Sequence, residues 1–162
     1  MNTSLQALNA VNFFMADVQG GLGPYLGVFL QQKNWSPSQI GVVMTIGGLA
    51  GTVATAPLGA LVDRLRAKCF MVAVAALATV TGSLVILFVP AFLATTIAQA
   101  ATGIAGAAIP PAIAGITLGL VKQKGFAHQI GRNEAFNHSG NVVAALLCGV
   151  LGYAFGLAPY SW

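Results

Sequence analysis

The chain has 162 residues, of which 57% are apolar and only 6% charged, against about a quarter charged in an ordinary soluble domain. With a mean hydropathy of +0.82, a water-soluble fold would have almost nothing to put on its surface. The formal charge is +4, but the basic residues stand in short clusters between long apolar runs, which is a pattern of membrane topology and not of a nucleic-acid-binding face. The expected class is an all-α, polytopic transmembrane helix bundle, with the lipid bilayer as its surroundings and no nucleic-acid partner.

A bilayer core about 30 Å thick needs roughly 20 apolar residues at about 1.5 Å rise each. Cutting the chain where charge or turn residues interrupt such runs predicts about five helices in a single domain over 1–162, at approximately 5–30, 38–62, 69–89, 92–121 and 133–157. The start Met1-Asn2-Thr3-Ser4 carries no Lys or Arg, and the first apolar run is long and contains Asp17. A cleavable signal peptide is therefore not expected.

In the first helix, Asp17 stands about twelve residues from either end, hence about 18 Å deep at 1.5 Å per residue. A carboxylate there costs about 2.5 to 3.5 kcal/mol on insertion scales, and intramembrane acids are functional by default. Gly21 and Pro24 share nearly the same face, so Asp17 sits beside a loosened stretch of helix and is the candidate for proton or cation coupling. The plainer alternative is a structural Asp bonded to a neighbouring helix. Toward one end of the same helix, Gln6, Asn9 and Asn12 either line a cavity or meet lipid headgroups.

The second helix has a local start signal in Ser36-Pro37-Ser38-Gln39, with Ser36 as N-cap, Pro37 at the first helical position and Gln39 completing a capping box. Trp35, and Tyr160 and Trp162 at the far end of the chain, suit the membrane interface. The third helix follows the basic cluster Arg64, Arg66, Lys68, and Pro90 separates it from the fourth. Cys69 and Cys148 do not read as a disulfide framework, and a metal site needs more ligands nearby. Neither a metal nor a cofactor is expected.

In the fourth helix Gln99 and Thr102 are candidates for a polar cavity lining, although hydrogen bonding between helices explains them equally well. His138 in the fifth is a further lining candidate, with interfacial solvation as its alternative; His128 falls in the basic loop. Small residues recur at four-residue spacing as Gly47, Gly51, Thr55 and Gly59 in the second helix, and as Gly103, Ala107, Pro111, Gly115 and Gly119 in the fourth. The fifth carries Gly140, Ala144, Cys148, Gly152 and Gly156. Such rows let helix backbones approach closely where lipid supplies no hydrophobic drive for association.

Arg64, Arg66, Lys68, Lys122, Lys124 and Arg132 fall on one side of this arrangement and Lys33 alone on the other. The basic side is expected to be cytoplasmic, which puts the N-terminus in the cytoplasm of a multi-pass protein of the cell (inner) membrane, and Trp162 outside.

The stretch from Gly59 to Lys68 resembles the signature loop between the second and third helices of the major facilitator superfamily, G-x-L-x-D-R-x-G-R-[RK]. Gly59, Leu61, Asp63, Arg64 and Lys68 match it, while Arg66 stands where Gly is usual and Ala67 where Arg or Lys is usual. Gly103-Ile104-Ala105-Gly106-Ala107 is similar to the small-residue part of the family's fourth-helix motif, with Gln99 and Thr102 in place of its Arg and Gln. Gly140 and Gly149 have the spacing that opens the antiporter motif, but Tyr153 replaces the Gly-Pro pair that should follow, so an antiporter is not inferred.

The resemblance implies a secondary transporter of about twelve helices in two halves, with a small solute bound near the midplane and alternating access by rocking. It implies that this chain covers the first half less one helix, that Asp63 faces a helix of the second half, and that the missing C-terminal helices are partners. The expected function is secondary active transport of a small solute, with Asp17 as the proton-coupling residue; the polypeptide alone is expected not to transport. The alternative is an accessory or packing subunit that does not transport. An enzyme is not expected, because Asp17 and Asp63 lie far apart and no H-E-x-x-H or G-x-S-x-G pattern occurs.

Overall fold

A computed structural model describes residues 3–20, 23–65 and 67–154, with the side chains of 17–20, 23–24, 148 and 151–154 left out. Gly21, Arg66, Gly156, Tyr160 and Trp162 thus lie outside the described residues, as do the side chains of Asp17, Pro24 and Cys148.

The described residues form α1 (Thr3–Gly20), α2 (Gly23–Gln32), α3 (Pro37–Arg64), α4 (Lys68–Phe88) and α5 (Phe92–Ala154). The ends of α3 and α4 fall within two residues of the expected 38–62 and 69–89. The start of α3 forms as its sequence dictates: Ser36 Oγ accepts from Gln39 N–H at 3.3 Å, and Ser36 N–H donates to Gln39 Oε1 at 3.0 Å. Asn34, in the turn before it, has φ 63°, a left-handed geometry that Asn tolerates better than most residues.

Of the helix expected over 5–30, α1 and α2 are described, and residues 21–22 between them lie outside the described residues. One expected boundary differs. The two helices expected at 92–121 and 133–157 are present as the two parts of α5, which leaves helical geometry at Lys122 (φ 54°, ψ −175°); the first ends where expected, but the second starts directly after Lys122 with no loop before 133. The basic segment is therefore helix. Its inward positions recur at helical spacing, with Gly125 and Phe126 half-buried, Gln129 buried, Ile130 half-buried and Asn133 buried, while Lys122, Lys124 and His128 are exposed. This is an amphipathic turn sequence whose inner face is partly polar, so a rule that reads charge as loop passes over it. Lys122 divides α5 into a first arm (92–121) and a second arm (123–154).

Three of the described helices are long and apolar enough to cross a membrane: α3, α4 and the Phe92–Leu147 stretch of α5. The element packed against all the longer ones is α5. Its first arm crosses α3 where an added Cβ on Gly103 would run into the Gly47 carbonyl oxygen, and one on Gly51 would stand 3.0 Å from the Gly103 carbonyl oxygen. Gly82 on α4 makes room for the Thr102 methyl group, and Gly140 on the second arm lies against the Phe13 carbonyl and Ala16 of α1. Close backbone approach at small residues is the expected means of association in lipid.

Only part of each small-residue row is used in this way. Gly59 and Gly119 have open space where a side chain would stand, and Thr55 turns its hydroxyl back to the Gly51 carbonyl at 2.9 Å.

One apolar core joins Leu8 and Met15 of α1, Val62 of α3, Val72 and Ala75 of α4, and Ile109, Ala112 and Ile113 of α5. A second gathers Leu26 and Leu30 of α2 with Ile86 and Ala98 beneath Trp35, whose ring lies 5.7 Å from that of Phe92. The outer faces carry large exposed apolar side chains such as Phe14, Val53, Phe70, Leu77, Phe88 and Leu93. A soluble surface does not look like this; it is the surface of a membrane protein.

Candidate functional site

The described polar groups concentrate where α1 meets α5 on both sides of the Lys122 break. Gln129 Nε2 donates to Asn9 Oδ1 at 2.9 Å and to Asn133 Oδ1 at 3.0 Å. Asn133 Nδ2 donates to Thr117 Oγ1 at 2.8 Å, and that hydroxyl donates to the Ile113 carbonyl at 2.8 Å. Asn9, Thr117, Gln129 and Asn133 are all buried. Asn12, also buried, returns its Nδ2 to the Leu8 carbonyl at 2.8 Å.

This ladder connects α1, the first arm and the second arm. Its members are uncharged, so they position helices and do not exchange protons. Such networks are worth most when every partner is satisfied in a low-dielectric interior. Beside it, Gln6, Asn9, Ala10, Phe13, Phe14 and Phe136 line a cavity of about 310 Å³ between α1 and the second arm. Asp17 follows on the same helix, directly after Ala16, which touches Gly140.

Of the residues expected to line a cavity, Asn9 is in the ladder and on the cavity wall. Gln99 and Thr102 are brought together on the first arm: the Thr102 hydroxyl lies 3.1 Å from the Gln99 carbonyl and 3.2 Å from Gln99 Oε1. His138 is exposed on the second arm and joins neither group. Gln129 and Asn133 are not among the residues expected from sequence, because Gln129 falls between two expected helices and Asn133 stands at the start of one. Their four-residue spacing, with Gly125 four residues before Gln129, was the available signal.

In the signature loop Lys68 is the organiser. Its Nζ donates to the carbonyl oxygens of Val62 at 2.7 Å and Leu65 at 3.3 Å, closing the C-terminus of α3, where a cation is favoured by the helix dipole. Its stem lies against Gly115, where an added Cβ would stand 2.6 Å from Lys68 Cδ. Leu61, Asp63 and Arg64 are exposed and Gly59 is half-buried. Among the described residues Asp63 and Arg64 have no ion-pair partner, and no group of three His, Cys, Asp or Glu could hold a metal ion.

A multi-helix membrane bundle with small-residue crossings and this loop is the architecture of a transporter superfamily. Residues 6–162 match the Major Facilitator Superfamily, and the chain belongs to that family. It is 44% identical over 158 residues to proteins named uncharacterized MFS-type transporters in Mycobacterium tuberculosis strains CDC 1551 / Oshkosh and ATCC 25618 / H37Rv. The match covers 97% of this chain and 38% of each relative, so the chain spans well under half their length. No solved structure matches it.

Proposed function

We propose that the chain is part of a secondary active transporter of a small solute, coupled to protons through Asp17, in the cell (inner) membrane. Membership of the superfamily over nearly the whole chain carries this reading. Its support within the molecule is the polar ladder, which fixes α1 against both arms of α5 and so sets the backbone of the helix that bears Asp17. The cavity of Phe13, Phe14, Phe136, Gln6 and Asn9 offers apolar walls with amide groups, the usual make-up of a small-molecule pocket. Further helices, supplied by a protein of the relatives' length, complete the alternating-access site.

Coupling is tested in a protein of that full length carrying this sequence. Asp17→Asn is expected to abolish accumulation of solute driven by a proton gradient while leaving exchange or binding measurable. Unchanged accumulation against a gradient would make Asp17 structural.

The N-terminus is proposed to be cytoplasmic. Lys68 against Gly115 brings the α3–α4 junction to the end of the first arm, so the exposed Arg64, Lys122 and Lys124 gather at one end of the bundle, while Lys33 adjoins the Trp35–Phe92 end. Cysteines placed singly at Ser4 and Ser38, in a background lacking Cys69 and Cys148, should react with a membrane-impermeant thiol reagent from opposite sides. Labelling of both from outside the cell would overturn the proposed orientation.

A further inference from the structure

We infer that the junction between α4 and the first arm of α5 is a binding site for one anionic phospholipid. A cavity of about 630 Å³ opens there, walled by Phe70, Ile116 and Leu120 and floored by Gly115, with Lys68 and Cys69 at its basic end. Phe70 and Leu120 are exposed, so the apolar wall continues onto the lipid-facing surface.

The opposite end of the cavity carries one basic side chain, Lys68, and other basic residues stand near its lining residues in the chain without lining it. Lys68 has three N–H donors and places them on two carbonyls, leaving one for a ligand oxygen. Arg64 lies four residues before Lys68, and Lys122 two residues beyond Leu120; both are exposed, as is Lys124. Among the described residues none of these four has a carboxylate partner. The first turn of α4 adds its positive dipole end, since Ala67 supplies no side-chain cap.

An apolar wall that meets unpaired basic charge at the membrane boundary is complementary to a lipid phosphate on its glycerol and acyl chains. A free anion would leave Phe70, Ile116 and Leu120 without a partner. A zwitterionic lipid offers the same chains with its phosphate charge balanced by its own amine.

The test is native mass spectrometry of the 162-residue chain in detergent, with equimolar phosphatidylglycerol and phosphatidylcholine of identical acyl chains. The first bound lipid should be phosphatidylglycerol by about fivefold, the effect of one basic group near the phosphate. Lys68→Gln should bring the ratio toward one and Lys68→Arg should keep it. Because Lys68→Gln also removes the closure of α3, the deciding variant is Gly119→Phe. Gly119 lines the cavity with open space where a side chain would stand, so Phe fills it without touching the Lys68 bonds. Gly119→Phe should retain less phosphatidylglycerol at an unchanged circular-dichroism melting curve. Equal retention of the two lipids by the unaltered chain, or an unchanged preference in Gly119→Phe, would overturn the site. Excess inorganic phosphate should leave the bound lipid in place; its displacement would overturn the assignment to a lipid.

Discussion

Replacing Gly103 by alanine is expected to lower the stability of the folded chain in detergent by about 1–3 kcal/mol, the usual cost of forcing extra volume into a packed contact. The reason is local. An added Cβ at 103 would meet the Gly47 carbonyl oxygen and come within 3.1 Å of its carbon and 3.4 Å of the Gly51 nitrogen. These are backbone atoms of α3, which cannot turn aside as a flexible side chain could. The first arm and α3 would have to separate, and the dispersion contacts of the whole crossing would weaken with them.

Gly106, three residues on, is the internal control, because nothing stands within 4 Å of its added Cβ. Gly106→Ala should be neutral or stabilising by up to about 1 kcal/mol from helix propensity. Unfolding by sodium dodecyl sulfate titrated into mild detergent, followed by far-ultraviolet circular dichroism, compares the two. Equal midpoints would show that α3 and α5 do not cross at these glycines.

Asn133→Ala is expected to cost about 1–3 kcal/mol in the same assay, because it orphans buried partners as well as deleting bonds. Gln129 Nε2 would lose one of its two acceptors, and Thr117 Oγ1 its donor. Asn141→Ala, whose contact to Asn137 is long at 3.4 Å and exposed, should change stability little. A double-mutant cycle on Asn9 and Gln129 isolates the rung between α1 and the second arm. Its coupling should fall near about 0.6 kcal/mol and no higher than about 1.7 kcal/mol, the average and the maximum for hydrogen bonds between membrane helices. A coupling indistinguishable from zero would mean that the ladder does not tie α1 to α5.

What the sequence by itself determined is what acts locally or by composition. The apolar runs of α3 and α4 are long enough to cross a bilayer whichever helices surround them, and the capping box at Ser36 and Gln39 closes within one turn, so both were legible before any packing was known. The signature loop was legible as a string, with Asp63, Arg64 and Lys68 in their family positions. The amide ladder was not. Gln129 and Asn133 stand in a segment whose lysines and arginine suggest a loop, and only the rotation of the second arm about its axis turns their side chains toward Asn9 and Thr117. The glycine rows show the same division: four-residue spacing identified surfaces capable of close approach, but Gly103 meets Gly47 and Gly140 meets Phe13 while Gly59 and Gly119 meet nothing within the described residues. Periodicity assigns residues to a face of a helix; which neighbour that face receives depends on crossing points set by the whole bundle, and those only the tertiary structure decided.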